Sequence, residues 1–163
     1  MRTWWRGILV ALVIACGTAA AQSYAAVSVG LPVVLVSGHV GFEDLIAPAV
    51  DLRINSGGGT LFGEGFGVFG LALGADALWR FVAVDDQPWT PYAGGGVGVL
   101  LVGAAGGGAV DAELVGTGAA IAGIDYDLGD LSVFAELRGE LLWAPGGGFF
   151  GFPGVRLGVM FPL

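Results

Sequence analysis

The amino-acid sequence predicts an all-β protein: an up-and-down antiparallel transmembrane β-barrel of eight strands, behind a removable leader. Three observations carry that expectation. The chain has 163 residues and is 55% hydrophobic, yet only 12% of it is charged, about half the charged share of an ordinary soluble domain. Its 32 glycines keep no collagen-like period and lie among Val, Leu, Phe and Ala, so the chain has much apolar surface to bury. Where charges fall inside apolar stretches they keep to one parity, the period-two pattern of a strand with one greasy face and one wet face.

In chain order the first element is the leader. Arg2 and Arg6 give a basic start, Gly7 to Ala15 an apolar core, and Ala19-Ala20-Ala21 before Gln22 a run of small residues. This is the three-part pattern of a secretory signal peptide, and the core is about half of the ~20 residues a spanning helix needs. Two cleavage readings stand side by side. Val13-Ile14-Ala15-Cys16 resembles a lipobox, which would leave Cys16 as a lipidated first residue. Cleavage after Ala21 is the more ordinary site and is favoured, giving a signal peptide over 1–21 and one barrel domain over 22–163.

Within that domain, strands are expected over Ala47–Asn55, Phe66–Val82, Trp89–Val102, Asp111–Tyr126, Leu131–Trp143 and Phe152–Leu163. Leu131–Trp143 is the clearest: Ser132, Phe134, Glu136, Arg138, Glu140 and Leu142 share one parity, and Leu131, Val133, Ala135, Leu137, Gly139, Leu141 and Trp143 the other. The segment Ser23–Val40 supplies the rest. Proline lacks a ladder donor, so a split near Gly30-Leu31-Pro32 makes two strands and an even total of eight. A rival split puts a hairpin inside Leu61–Val82 and keeps Ser23–Val36 as one strand.

Punctuation alternates along the chain. Triple-glycine loops are expected at Ser56–Thr60, Ala105–Ala109 and Pro145–Phe149, and acidic turns at Glu43-Asp44, Val84–Pro88 and Asp127–Asp130. In an up-and-down barrel alternate turns lie on opposite membrane faces, which puts the acidic turns on one rim and the glycine loops on the other. Aromatic residues gather near strand ends. Trp79, Phe81, Trp89, Tyr92, Trp143 and Phe161, with Tyr24 and Phe152, are candidates for interfacial girdles.

Charges that share the wet parity belong inside the barrel. Asp51, Arg53, Asp76, Arg80, Glu136, Arg138, Glu140 and Arg156 are the candidates for a lumen network. An eight-stranded barrel is just wide enough for side chains to fill it, buried charges must be paired, and the guanidinium fork meets carboxylates bidentately. Such a plug is incompatible with a general porin. Arg138, with an acid two residues away on either side of its own face, is expected to matter more to the barrel than Arg156.

Other classes find little support. Beyond Arg2 and Arg6 the chain carries Arg53, Arg80, Arg138 and Arg156 against all 14 acids, a surface that repels nucleic acid. His39 and Cys16 are the lone members of their kinds, so no metal site, disulfide or Ser–His–Asp triad is expected. His39 reads as a loop or lumen residue. Gly96-Val97-Gly98 and Gly116-Thr117-Gly118 lack the third glycine of a dinucleotide loop, and no lysine exists for a P-loop. Glu136 and Glu140 could form a glycosidase-type dyad, but a lumen network with arginine is the simpler reading. No enzyme activity and no cofactor are expected. Two structural rivals remain. A polytopic α-helical membrane protein would use Gln87–Val110 as a span, with Gly94 and Gly98 as a packing motif, and a soluble secreted barrel would keep the strands but not the lipid.

Pro91-Tyr92-Ala93-Gly94-Gly95-Gly96-Val97-Gly98-Val99, and the stretch from Ala122 to Gly129 followed by Leu131 to Arg138, resemble strands of the small bacterial outer-membrane β-barrels, the group of the OmpA-type and OmpW-type proteins. The alternating C-terminus Val155, Leu157, Val159, Phe161, Leu163 is similar to the signal read by the barrel-insertion machinery. Leu163, after Pro162, stands where the group usually has phenylalanine. The resemblance implies export to the outer membrane, membrane lipids and the insertion machinery as partners, and a structural or interaction role in the envelope. Its OmpW side implies the alternative of a narrow channel or transporter for small apolar molecules.

Overall fold

The computed structural model describes residues 22–31, 35–63, 66–81, 87–106, 109–144 and 146–163. The expected leader, Cys16 with its two cleavage readings, Pro32 and the Asp85-Asp86 turn lie outside them. The chain forms eight strands: β1 Ser23–Leu31, β2 Leu35–Ala47, β3 Val50–Gly63, β4 Phe66–Arg80, β5 Trp89–Gly106, β6 Ala109–Asp127, β7 Ser132–Trp143 and β8 Phe149–Pro162. Each pairs antiparallel with its chain neighbours, and β1 pairs with β8 to close the barrel. Closure leaves the ring without an edge, which is what a sheet in lipid requires.

The break between β1 and β2 falls where Pro32 predicts it: β1 ends at Leu31 and pairs with β2 from Gly30↔Leu35, so the rival's single strand over Ser23–Val36 is wrong, although the β3–β4 reversal does fall inside Leu61–Val82. The first glycine loop is a correction. Gly57-Gly58-Gly59 lie inside β3, between Ser37 of β2 and Ala72 of β4 at the level of Gly57. Ladders on both sides satisfy Gly57 and Gly58, and β4 pairs with Gly59, so pairing overrides the turn preference of a glycine run. The reversal comes after Gly63 instead. β8 likewise starts at Phe149, three residues before the expected Phe152.

The termini and the β2–β3, β4–β5 and β6–β7 connections share one end of the barrel, called here the terminal end. The other connections form the opposite, outer end. Glu43-Asp44 and Asp127–Asp130 are at the terminal end, and Gly146–Gly148 at the outer end. The β2–β3 reversal is tight: Asp44 and Ala49 take left-handed φ of 55° and 63°, and Asp44 Oδ1 accepts a hydrogen bond from the Ala49 amide at 2.6 Å. The outer rim is uneven. β5 and β6 have 18 and 19 residues, β1 nine and β7 12. β6 meets β7 only from Gly116 onward, and β3 meets β2 only up to Gly58. The outer ends of β3 to β6 therefore stand as a four-stranded wall above the closed ring.

The helical rival is overturned. Gln87–Val110 contains β5 and the reversal into β6, and among the described residues no helix is long and apolar enough to span. Gly94 faces inward against the Ala77–Leu78 backbone of β4 and leaves no room for a Cβ. Polarity decides between lipid and water outside the barrel. Val97 and Leu137 are 69% and 67% exposed on the outer face, whereas Arg53 and Glu136 inside are 1% exposed. A soluble barrel has the reverse arrangement, so this wall is built to meet hydrocarbon.

Candidate functional site

The lumen is filled to different degrees along its axis. At the terminal end it is packed solid. Tyr24, Ala26, Phe134 and Met160 form one apolar cluster, and Leu78, Tyr92 and Ile121 another. Three of these rings lie flat across a glycine directly opposite on the next strand: Tyr24 over Gly41, Tyr92 over Gly123 and Phe134 over Gly158. A side chain at any of the three would occupy the ring's place. Such cross-strand pairs cover the exposed glycine backbone and anchor register.

Charges thread this packing. Arg80 of β4 is ringed by three acids from three strands. Its Nε donates to Asp51 Oδ2, Nη2 lies 3.3 Å from Glu43 Oε1, and Nη1 lies 3.3 Å from Asp125 Oδ2. One level further in, Arg53 of β3 donates to Asp76 Oδ2 of β4 from Nε at 3.2 Å and Nη2 at 2.9 Å. Its Nη1 crosses the barrel to Glu136 Oε1 of β7 at 2.5 Å. Arg138 closes the net from the other wall. It reaches Asp76 Oδ2 at 3.3 Å, Glu136 Oε2 at 3.2 Å and Glu140 Oε1 at 2.6 Å. The Tyr92 hydroxyl donates to Glu136 Oε1 at 2.9 Å, and the Arg53 guanidinium lies 5.8 Å above the centre of the Phe134 ring. Beside them His39 and Ser28 share a buried hydrogen bond of 2.6 Å.

The eight charged residues picked out by parity thus all line the interior, but not as one net. Asp51 and Arg80 form the terminal-end centre. Arg53, Asp76, Glu136, Arg138 and Glu140 form the middle net. Arg156 stands apart: its Nη1 is 3.9 Å from Glu136 Oε2, beyond hydrogen-bond reach, and has no hydrogen-bond partner. Asp125 and Glu43 are lumen members that the sequence does not single out. Asp125 sits one residue from an outward tyrosine and two from the turn, so it looks like a rim acid until its register opposite Phe134 is known.

Of the aromatic candidates, Trp79, Phe81, Trp89 and Phe161 are exposed near the terminal end, with Trp79 and Phe81 stacked at 6.4 Å, and Trp143 is exposed at the outer end. Tyr92 is not a girdle residue. It is buried in the lumen, as is Tyr24, and Phe152 borders the interior cavity. Tyr92 falls on the inward parity, where its hydroxyl finds a carboxylate instead of water.

Beyond the middle net, towards the outer end, the lumen opens into a cavity of about 450 Å³. Leu35, Ala72, Leu100, Val102, Leu142 and Phe152 supply side-chain wall, and Gly30, Gly59, Gly70 and Gly154 supply bare backbone. The floor is Asn55, Asp76, Arg138, Glu140 and Arg156. Asn55 Nδ2, like Arg156 Nη1, is buried without a hydrogen-bond partner. Chemically the lumen is therefore a closed stopper with a pocket above it. Among the described residues no group of His, Cys, Asp and Glu is arranged to hold a metal ion.

No protein-family model matches the chain, and no curated protein matches it. Solved structures do. The N-terminal β-barrel domain of OprF from Pseudomonas aeruginosa is 17% identical, with 87% of this chain and 97% of that one covered at a TM-score of 0.66. Neisserial surface protein A is 13% identical, covering 88% and 96%, with a TM-score of 0.63. A major outer membrane protein of Thermus thermophilus is 16% identical, covering 88% and 100%, with a TM-score of 0.50. At these identities the likeness is one of fold: the small closed barrel found in outer-membrane proteins.

Proposed function

We propose that this chain is a bacterial outer-membrane barrel with a sealed lumen, serving a structural or interaction role in the cell envelope and not the passage of solutes. One observation carries the reading: the pairs Arg53–Asp76, Arg53–Glu136 and Arg138–Asp76 tie β3, β4 and β7 together across the interior. Breaking such a net leaves an uncompensated charge, which costs several kcal/mol, so thermal motion does not open it. The apolar outer wall and the exposed aromatics at both ends support a membrane location, and the signal-peptide pattern in the sequence of residues 1–21 supports export to it. The surface offered to partners is the raised outer wall of β3–β6 together with the exposed Phe149 and Phe150. Planar-bilayer recording of the purified barrel tests the seal. The expected result is no long-lived conductance step; a stable, ohmic, reproducible step would overturn the reading in favour of a channel.

A further inference from the structure

We propose that Asp125 is a proton catch at the terminal end of the lumen: it keeps its proton into the mildly acidic range, and releasing that proton to water sets three carboxylates against one guanidinium and loosens the terminal half. This goes beyond the sealed-barrel role and does not depend on it. The starting point is an imbalance of charge. The four lumen arginines meet six carboxylates. In the middle, Arg53, Arg138 and Arg156 match Asp76, Glu136 and Glu140. The shortfall lies at the terminal end, where Arg80 is the cation for Glu43, Asp51 and Asp125 together.

Burial and hydrogen bonding decide which carboxyl holds the proton. Among the described residues only Asp51 accepts a hydrogen bond from Arg80, and that buried pair is neutral by itself. Glu43 lies at the rim with its side chain 32% exposed, so water shares its charge. Asp125 is 7% exposed, one rung from Trp89 of the terminal girdle. It lies 3.3 Å from a guanidinium that Asp51 already neutralises. A buried carboxylate with no cation of its own neutralises by binding a proton. The neighbours offer no other remedy. Facing this centre are Tyr24 of β1, Glu43 and beyond it Asp44 of β2, Asp51 and Arg53 of β3, Tyr92 of β5 and Glu136 of β7, and β8 brings the uncharged Met160. Asp127, next on the same face of β6, accepts from the Gly129 amide in the turn. Arg53 is the nearest further cation, and it serves Asp76 and Glu136. His39 bonds to Ser28 and has Arg53 and Arg156 for neighbours, so it supplies no charge to the terminal end. The guanidinium of Arg80 fills the space on which the three acids converge, and among the described residues no group is arranged to hold a metal ion there.

Urea unfolding in lipid vesicles across a range of pH, wild type beside Asp125→Asn, tests the catch. A carboxyl that holds its proton longer in the folded barrel than in the unfolded chain contributes stability at low pH, and that contribution is lost as pH rises. Asparagine keeps the shape and cannot ionise. The ratio of folding constants, variant over wild type, should therefore climb by up to about tenfold per pH unit from about pH 4 and level off once the folded carboxyl has ionised. His39 is common to both proteins and cancels from the ratio. Infrared spectra of the wild-type barrel should show a protonated-carboxyl stretch at about pH 5 that fades towards about pH 8. Glu43→Gln removes a neighbouring negative charge from the rim and should move that fading to lower pH, which decides the matter if Asp125→Asn does not fold. A ratio that is flat, that falls with rising pH as loss of an ordinary ion pair would give, or that follows calcium or sodium ion instead of pH would overturn the proposal. So would an infrared midpoint indifferent to Glu43→Gln.

Discussion

The two halves of this lumen use glycine in opposite ways. At the terminal end Gly41, Gly123 and Gly158 are seats for the rings of Tyr24, Tyr92 and Phe134, and the interior is packed. At the outer end Gly30, Gly59, Gly70 and Gly154 border an open cavity. One residue type therefore serves close packing in one half and emptiness in the other. What differs is the residue across the ladder. A glycine opposite an aromatic on the inward face is filled by its ring, and none of the outer four faces an aromatic: Gly30 faces Leu35 and Gly154 faces Arg138. Gly59 and Gly70 face each other. Glycine content by itself thus says nothing about whether a barrel is plugged, and register does.

The sharpest break of this contrast goes through the net that divides the halves. Replacing Arg138 with leucine strips Asp76, Glu136 and Glu140 of a shared cation and should destabilise the barrel by about 3–5 kcal/mol, the range for breaking a buried ion pair. Arg156→Leu removes a guanidinium with one distant partner and should cost under about 1 kcal/mol. Urea unfolding in lipid vesicles, followed by tryptophan fluorescence, measures both. Equal shifts would mean that the net is not what holds the terminal half together.

A smaller effect distinguishes the two kinds of glycine. Gly158→Ala drives a methyl into the Phe134 ring and should cost about 1–3 kcal/mol, as overpacking does. Gly70→Ala meets open space and should be neutral or stabilising by about 0.5–1 kcal/mol, because alanine loses less freedom on folding. The same unfolding series reads the sign of each. The smallest expected change is Tyr92→Phe. It deletes one donor to Glu136 and should lower stability by about 1 kcal/mol, with the ring still seated on Gly123. A loss as large as that of Arg138→Leu would make the hydroxyl a member of the net in its own right.

The fold was legible because charge marked the wet face of half the strands. In β3, β4, β7 and β8 an arginine or an acid fixes which parity is inward, and the interior follows by counting in twos. β5 has no charged residue between Trp89 and Gly106, so nothing in it says which face is wet, and Tyr92 near a strand end looks like a girdle residue. Tyr24 in β1 is ambiguous for the same reason, with only Ser28 to mark its face. The cavity was not legible at all. It depends on what the glycines face across the ladders, a property of register that no single strand carries. Parity does set Arg138 between Glu136 and Glu140 and leaves Arg156 without an acid on its own strand, but the cross-lumen contacts of Asp76 with Arg138 and of Glu136 with Arg53 follow only from the closed ring.

The uneven rim bears on how such a barrel comes together. Every ladder but one joins strands adjacent in the chain, which hairpins form locally and fast. The exception is β1 with β8, where Tyr24 meets Pro162. That ladder carries the largest loop-closure entropy of the eight, and β1, with nine residues, is the shortest strand. The long β5–β6 hairpin, by contrast, is a self-sufficient zipper. Growth outward from that hairpin, with the ring sealing at β1–β8, is the order of assembly that this architecture favours. The same line of contact is where the finished wall is most readily unzipped.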